Sequence, residues 1–198
     1  MEALFVTSNP NKAREAAEIL GVEVRSIALD LPELQDLDVA QVAAVKAAAA
    51  REALGAPDSP ILVEDSGLVV EAWNGLPGAL TKWFLASVGN EGLLRMLSGE
   101  EDRSARAVCA VAIAFTDAGV LASRQGVRVF LGEVGGMIAP EPRGSGGFGW
   151  DPIFIPEGYS ETYAELGPRK HEDSHRARAL KAAREALRAG PEVPPPSR

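Results

Sequence analysis

Residues 144–154 read Gly-Ser-Gly-Gly-Phe-Gly-Trp-Asp-Pro-Ile-Phe, and residues 170–176 read Lys-His-Glu-Asp-Ser-His-Arg. Glycines let backbone N–H groups approach a ligand closely, and aromatic rings offer faces for stacking. A basic cluster suits anionic oxygen. The two segments together predict a nucleotide pocket.

The composition describes an ordinary globular chain. With 198 residues and 46% apolar content, the chain can bury a full core, and its length favours one domain. We expect this domain to span residues 1–190. Four prolines in the last nine residues predict a non-helical, Pro-rich tail over residues 191–198.

Neither export nor membrane insertion is expected. The first residues carry Glu2 where a signal peptide has basic residues, and the apolar stretch 3–6 is too short for its hydrophobic region. The longest apolar tracts, residues 43–50 and 105–115, fall short of the roughly 20 residues that a spanning helix needs. A single cysteine, Cys109, excludes an internal disulfide and fits a reducing compartment. We therefore predict a cytoplasmic protein.

The charge balance bears on the ligand. A net charge of −8 and a pI near 4.9 argue against broad nucleic-acid binding, which needs a basic face. An anionic ligand must therefore meet locally concentrated cations. Of only five lysines, four stand beside the motifs discussed here: Lys12, Lys46, Lys82 and Lys170. The alternative is that these lysines are solvated surface charges.

Periodicity and turn residues predict alternating strands and helices. The expected elements are strands over residues 3–7, 22–27, 61–63, 68–70, 105–115 and 120–130, and helices over 11–20, 39–54, 91–97 and 174–189. Glu64-Asp65-Ser66-Gly67 is read as a turn at the end of a buried strand, and residues 116–119 as a hairpin turn. Strand ends often carry active groups, because the rigid sheet aims them.

Five blocks of sequence carry a family resemblance. They are Thr7-Ser8-Asn9 with Lys12, Glu64-Asp65-Ser66-Gly67-Leu68, Gly75-Leu76-Pro77-Gly78, Gly147-Phe148-Gly149-Trp150-Asp151-Pro152 and Ser174-His175-Arg176. In these ordered blocks the chain resembles the inosine triphosphate pyrophosphatase family, which hydrolyses non-canonical purine nucleoside triphosphates. Five ordered blocks are far more specific than one glycine motif.

The resemblance implies an α/β fold with an elongated mixed β-sheet flanked by helices, and two lobes with a central substrate groove. It also implies a homodimer. The implied activity is Mg²⁺-dependent hydrolysis of ITP, dITP and XTP to the nucleoside monophosphate and pyrophosphate, which cleanses the nucleotide pool.

The resemblance also implies roles for individual residues. Asp65 is the first choice of proton acceptor for the attacking water, with Glu64 as the alternative, and the metal ligands are Glu33, Asp65 and Glu64. The substrate-binding residues are Thr7, Ser8, Asn9, Pro10, Asn11, Lys12, Lys46, Ser66, Lys82, Phe148, Gly149, Trp150, Asp151, Lys170, His175 and Arg176. Many bacterial relatives have tyrosine where this chain has Trp150. The stretch that contains Lys82, residues 78–83, is close to the form seen in animal members of the family.

Two other functions compete with this one. His171-Glu172-Asp173-Ser174-His175 matches the zinc-hydrolase pattern H-E-x-x-H, which requires both histidines on one helix. Because Asp173 and Ser174 are typical N-cap residues, we expect the helix to begin between the histidines. A nucleotide-binding module without turnover is the other alternative. Clustered carboxylates argue against it, since a polyanion beside them needs an intervening cation.

Overall fold

The computed structural model describes residues 2–115 and 126–189, which form one mixed sheet flanked by helices. This confirms the predicted fold class. The strands are β1 (Glu2–Val6), β2 (Glu23–Ile27), β3 (Ile61–Val70), β4 (Pro77–Gly78), β5 (Ser104–Ala114), β6 (Val127–Ile138) and β7 (Phe154–Pro156). The α-helices are α1 (Pro10–Leu20), α2 (Val39–Ala53), α3 (Thr81–Met96), α4 (Tyr163–Leu166) and α5 (His175–Ala189).

The sheet changes from parallel to antiparallel at β3. Its order is β2-β1-β3-β5-β6-β7, with β4 paired to β3. β1 runs parallel to β2 and β3, and its pairing with β3 ends at Val6 opposite Val63. β3 continues for seven more residues beside β5, to which it is antiparallel. The sheet therefore has an open step beyond the end of β1, and β3 passes along it.

One prediction from the sequence, the turn at residues 64–67, is wrong. Residues 64–67 do not form a turn after a short strand; they lie in the middle of the ten-residue strand β3. Every residue of β3 is opposite a residue of β5, so the ladder has no break there. Gly67 is required by close packing, because a Cβ on it would lie 2.1 Å from the carbonyl oxygen of Gly78.

Three apolar clusters divide the molecule into two lobes. In the first lobe, α1 and α5 cover one face of β1, β3 and β5, and α2 covers the other face. In the second lobe, the far halves of β3, β5 and β6 pack with α3, β7 and α4. The long strands run through both lobes, so the middle of β3 lies between the two cores. Such strands hold residues from both lobes in a fixed relationship.

Helix ends agree with the sequence in three places. Asn9 caps α1 by accepting hydrogen bonds from the backbone N–H groups of Asn11 and Lys12, and Gly21 ends it with a φ of 63°. α2 begins after Asp38, whose carboxylate accepts from the N–H of Ala40. α5 begins at His175, which confirms that the helix starts between the two histidines.

Two elements differ from their predicted bounds. α3 is longer than predicted, beginning at Thr81, because Thr81 is anchored by hydrogen bonds to the backbone of Leu68 and Gly78. β6 continues to Ile138 where the prediction ended at residue 130. Its glycines permit this, because a Cβ on Gly132 would lie 2.0 Å from the His175 carbonyl oxygen.

Some predictions fall outside the described residues. They are the hairpin turn at residues 116–119, the start of the predicted strand at residues 120–125, and the Pro-rich tail at residues 191–198. The single domain over residues 1–190 stays a prediction. Within residues 2–115 and 126–189, no helix is both long and apolar enough to cross a membrane.

Candidate active site

A groove of about 980 Å³ lies over the middle of β3, between the two lobes. Every residue assigned from the sequence to metal or substrate lines it, except Lys170, which is buried beneath it. The groove is also lined by residues that the sequence analysis did not single out, namely Val6, Leu29, Asp30, Leu31, Thr81, Trp83 and Leu85.

Strand geometry separates the two neighbouring carboxylates of β3. Successive side chains point to opposite faces of a sheet. Glu64 and Ser66 therefore face α1 and α5, where Arg176 reaches both of them. Asp65 faces α2, which carries Lys46. Because the sheet is open beyond β1, both faces meet the same groove, and the two carboxylates have different chemical surroundings.

Glu64 is buried and fully engaged by cations. The Nε and Nη2 atoms of Arg176 both donate to its Oε1 at 3.0 Å, and the Nζ of Lys12 lies 3.2 Å from the same oxygen. Burial by itself would raise the pKa of Glu64, but the charges of Arg176 and Lys12 outweigh it and lower that pKa to about 2. Glu64 is thus ionised at neutral pH and holds two cations at the groove.

Asp65 has the opposite character. Burial raises its pKa to about 6, against the lowering effect of the Lys12 and Lys46 charges. Its Oδ2 atom is buried and accepts no hydrogen bond from any described residue. An unpartnered carboxylate oxygen is costly to bury and is therefore a sign of a function. Asp65 can accept a proton, or bind a cation, without first breaking an existing contact.

Glu33 lies at the rim of the groove between two lysines. Its Oε1 accepts from the Nζ of Lys46 at 2.7 Å, and its Oε2 lies 3.6 Å from the Nζ of Lys82. The hydrogen bond from Lys46 is the main cause of a lowered pKa for Glu33. These contacts link the β2–α2 connection, which carries Glu33, to α2 through Lys46 and to α3 through Lys82, across the opening of the groove.

The segment from Thr7 to Lys12 forms the end of the groove nearest β1. The hydroxyl of Thr7 accepts from the N–H of Asn9 at 3.1 Å, and the Asn9 side chain caps α1. The N–H groups of Asn11, Lys12 and Ala13 already donate to Asn9, so the attraction for anions here comes from the helix dipole and from the full charge of Lys12 on the first turn. This end of the groove suits phosphate.

The loop from Gly147 to Asp151 forms the other end. Asp151 accepts from the N–H of Phe148 at 2.8 Å and from the Nζ of Lys170 at 2.7 Å. The Phe148 ring is half-buried, and Lys170 Nζ and Arg176 Cζ each lie 5.1 Å from its centre. Trp150 is instead buried against Phe154, so within this loop Phe148 is the ring whose exposure suits stacking with a flat ligand.

His175 contributes a neutral imidazole. It packs against both Trp150 and Tyr163, with ring centres 5.1 and 5.7 Å away. Burial lowers its pKa well below the ordinary value, and the charge of Arg176 lowers it further. Both ring nitrogens lack a hydrogen-bond partner among the described residues, although His175 lines the groove. A ligand in the groove can supply that partner.

The zinc-hydrolase alternative does not fit this arrangement. His171 belongs to a 3-10 segment, Gly167–Glu172, whereas His175 is the first residue of α5. The two imidazoles are thus not one helical turn apart on a common helix, as the motif requires. Residues 2–115 and 126–189 contain no group of three or more His, Cys, Asp or Glu side chains able to hold a metal.

One important residue was missed by the sequence analysis. Glu15 on α1 is only 3% exposed, and it accepts from Arg176 Nη1 at 2.7 Å. Lys170 Nζ lies 3.3 Å from its other oxygen. Glu15 therefore links Arg176, which binds Glu64, to Lys170, which binds Asp151. The sequence feature that could have revealed Glu15 was its place three positions after Lys12, a charged residue on the buried side of a short amphipathic helix.

The carboxylates of the groove fit Mg²⁺. This ion prefers oxygen ligands and is usually bound through one or two carboxylates together with substrate phosphates and water. The Asp65 carboxylate, whose Oδ2 has no hydrogen-bond partner among the described residues, meets that requirement without a cage of three protein ligands. Glu33 and Glu64 are less available, because Lys46 and Lys82 contact the oxygens of Glu33, and Arg176 and Lys12 contact those of Glu64. The assignment of Glu33, Asp65 and Glu64 as metal ligands stays a prediction.

The fold and the groove together define a pocket for a polyanion with a flat ring, built between the lobes of an α/β protein. Comparisons identify the family. The chain matches the Ham1 family over residues 3–186, and it belongs to that family. The resemblance seen in the sequence is thereby confirmed.

Relatives of known sequence are similar along nearly their whole length. The chain is 45% identical over 186 residues to the dITP/XTP pyrophosphatase of Methanopyrus kandleri, covering 91% of this chain and 93% of that protein. It is 44% identical over 191 residues to the inosine triphosphate pyrophosphatase of Tuber melanosporum, covering 94% and 97%.

Solved structures agree with the fold. A HAM1 protein from Coxiella burnetii superposes with a TM-score of 0.80 at 30% identity, covering 96% of this chain and 100% of that one. A nucleoside-triphosphatase described as dITP/XTP pyrophosphatase from Mycobacterium abscessus gives a TM-score of 0.69 at 33% identity, covering 92% and 98%.

Proposed function

We propose that this protein hydrolyses the non-canonical purine nucleoside triphosphates ITP, dITP and XTP to the nucleoside monophosphate and pyrophosphate. Its membership of the Ham1 family and the names of its relatives support this activity. The observation that carries the proposal is the unpartnered Oδ2 of Asp65, buried in a groove that Lys12, Lys46 and Lys82 also line.

The triphosphate occupies the end of the groove near α1. The positive end of the α1 dipole and the Lys12 ammonium attract phosphate oxygens there, while Lys46 and Lys82 approach from the opposite side. These lysines already neutralise Glu33 and Glu64 in the structure. They also reduce the repulsion between the carboxylates and an incoming polyanion, and they stabilise the charge that develops during phosphoryl transfer.

Asp65 accepts the proton of the attacking water. A general base works best when its pKa lies near the operating pH, and burial moves the pKa of Asp65 in that direction. A proton passes from water to the Asp65 carboxylate while the water oxygen bonds to phosphorus, the P–O bond to the leaving group breaks and pyrophosphate leaves. Glu64 does not compete for this proton, because Arg176 and Lys12 keep it ionised.

Mg²⁺ is the proposed cofactor, held by Asp65 and Glu33 and, in the sequence-based prediction, by Glu64. When bound, it neutralises phosphate charge and polarises the reacting centre. The protein's own contribution is to hold Asp65 rigidly in β3. On one edge of the strand Asp65 is paired with Ala110 of β5, and this pairing fixes its backbone while the other edge stays open to the groove.

The purine lies at the other end of the groove, stacked on Phe148. Arg176 and Lys170 approach that ring, and the neutral His175, whose ring nitrogens have no hydrogen-bond partner among the described residues, also lines the groove. Donors aimed at the 6-position can donate hydrogen bonds to the oxygen of hypoxanthine or xanthine. They meet an amino group in adenine, which leaves buried groups unpaired and disfavours ATP.

The direct test is a panel of purine nucleoside triphosphates incubated with Mg²⁺ and scored for pyrophosphate and monophosphate. We expect ITP, dITP and XTP to be hydrolysed much faster than ATP. Tight binding of ITP without pyrophosphate release would instead support a nucleotide-binding module. Peptide cleavage that depends on zinc would support the H-E-x-x-H alternative.

Two further parts of the proposal concern the cell. The protein acts as a homodimer in the cytoplasm, where it removes damaged purine nucleotides before polymerases use them. The single cysteine is buried in β5, in keeping with a reducing compartment. Light scattering of the purified protein measures its mass, and a monomeric mass would refute the dimer.

A further inference from the structure

The helix α3 is divided into two parts by Gly89. This residue has φ 66° and ψ −177°, a combination that only glycine adopts readily. The part before it carries Lys82, Trp83 and Leu85 to the groove. The part after it begins with Asn90, whose direction is therefore set by the break in the helix.

Asn90 connects α3 to the loop that carries Phe148. Its Nδ2 atom donates to the carbonyl oxygen of Gly149 at 2.9 Å, across 59 residues of sequence. Leu85 approaches the same glycine, since a Cβ on Gly149 would lie 3.6 Å from Leu85 Cδ1. Both contacts come from α3, which belongs to the second lobe.

The loop needs such support because its backbone is intrinsically free. Gly147 and Gly149 have φ values of 70° and 64°, in the left-handed region. On one side of Phe148, its N–H is fixed by Asp151, which Lys170 holds in turn. On the other side, the carbonyl of Gly149 is fixed by Asn90. The N–H of Asp151 also donates to the Phe148 carbonyl at 3.2 Å, so Asn90 supplies the contact from α3 in a set of three that holds the backbone around the Phe148 ring.

We propose that Asn90 is a positioning residue for substrate binding, which holds the Phe148 ring in place and thereby sets the affinity for the purine. The inference rests on the proposed function, because it needs the purine to stack on Phe148. Asn90 does not line the groove and acts only through the loop. Its loss should weaken binding of the base and leave the reaction at phosphorus unchanged.

The first test is steady-state hydrolysis of ITP by Asn90→Ala. We expect the KM to rise about fivefold, within the range that loss of one neutral hydrogen bond produces, and kcat to stay within about twofold. The control is Asn74→Gly, at an exposed asparagine outside the groove whose φ of 52° glycine adopts without strain, and it should match the wild type. An unchanged KM in Asn90→Ala would overturn the proposal.

A second measurement separates loop positioning from general damage. Calorimetry should show weaker binding of inosine monophosphate to Asn90→Ala, by about fivefold, and unchanged binding of inorganic tripolyphosphate, which has no base. Equal weakening of both ligands would overturn the proposal. If Asn90→Ala unfolds, Asn90→Ser replaces it, because serine is too short to reach Gly149.

Failure of the proposed function gives a different result. A wild-type protein that hydrolyses no purine triphosphate refutes the activity, and the kinetic comparison then has no substrate. Calorimetry still decides the role of Asn90, since it needs no turnover. Wild-type activity with an unaltered Asn90→Ala variant refutes only the role of Asn90.

Discussion

Arg176 and Glu64 form a buried pair in which two guanidinium nitrogens donate to one carboxylate oxygen at 3.0 Å. The pair joins α5 to the middle of β3. Arg176 also donates to Glu15 on α1, so one side chain ties three elements together at the groove. Removing it leaves two buried carboxylates without their main cation.

We expect Arg176→Ala to lower the free energy of unfolding by about 3 to 5 kcal/mol, as is typical when one partner of a buried ion pair is removed. Urea denaturation at pH 7 measures this. Arg188→Ala is the matched control, because among the residues that the structure describes Arg188 pairs only with the exposed Glu185, and it should change stability by less than about 1 kcal/mol. Similar losses in both variants would contradict the assigned importance of the buried pair.

Asp65→Asn should abolish ITP hydrolysis and leave the fold intact. The amide keeps the shape of the side chain but cannot accept the proton from water. Because burial raises the pKa of Asp65, its ionised form destabilises the fold at pH 8, and the neutral amide should raise the free energy of unfolding by about 1 to 3 kcal/mol. Turnover and thermal denaturation measure the two effects. Normal turnover in this variant would remove Asp65 from the mechanism.

The ionisation of Asp65 can be followed directly in the metal-free protein. Burial raises the pKa of Asp65, so protonation of this group stabilises the folded state. That contribution to the free energy of unfolding is fully present below about pH 3.8 and is lost as the pH rises through about 6. Carboxyl-carbon NMR should show a midpoint near pH 6. Lys46→Met should raise that midpoint, because the Lys46 charge lowers the pKa of Asp65. Lys181→Met, on the exposed side of α5, should leave it unchanged.

Gly132→Ala should separate α5 from the sheet. A Cβ at this position would lie 2.0 Å from the carbonyl oxygen of His175 and 2.5 Å from the backbone nitrogen of Ala179. We expect a loss of about 3 kcal/mol or more in the free energy of unfolding, together with reduced activity, because His175 and Arg176 must move. Gly99→Ala is the control, since no atom lies within 4 Å of its added Cβ. Equal stability of the two variants would contradict the close packing.

The sequence predicted those features that depend on local chemistry. Caps and glycines marked the ends of α1, α2 and α5, and the ordered motifs indicated the residues that line the groove. The sequence did not reveal that Glu64 and Asp65 lie inside a strand, because pairing with β5 overrides the local turn preference of Asp-Ser-Gly. Nor did it reveal that the two carboxylates have different surroundings, which follows from the step in the sheet.

Glu15 and Asn90 illustrate a second limit. Each acts through a partner far away in sequence, Arg176 in one case and Gly149 in the other. A single charged residue on a helix, or an asparagine after a glycine, has no pattern that names such a partner. Only the packing of α1 against α5, and of α3 against the loop, determines what these side chains contact.

The ion pairs of Arg176 also bear on how the chain matures during translation. Its partners precede it by 161 and 112 residues, so a nascent polypeptide contains Glu15 and Glu64 long before the arginine emerges from the ribosome. Until then, burying these acids in the first lobe is electrostatically unfavourable. The lobe that contains the earliest-synthesised residues is therefore completed by one of the last-synthesised helices.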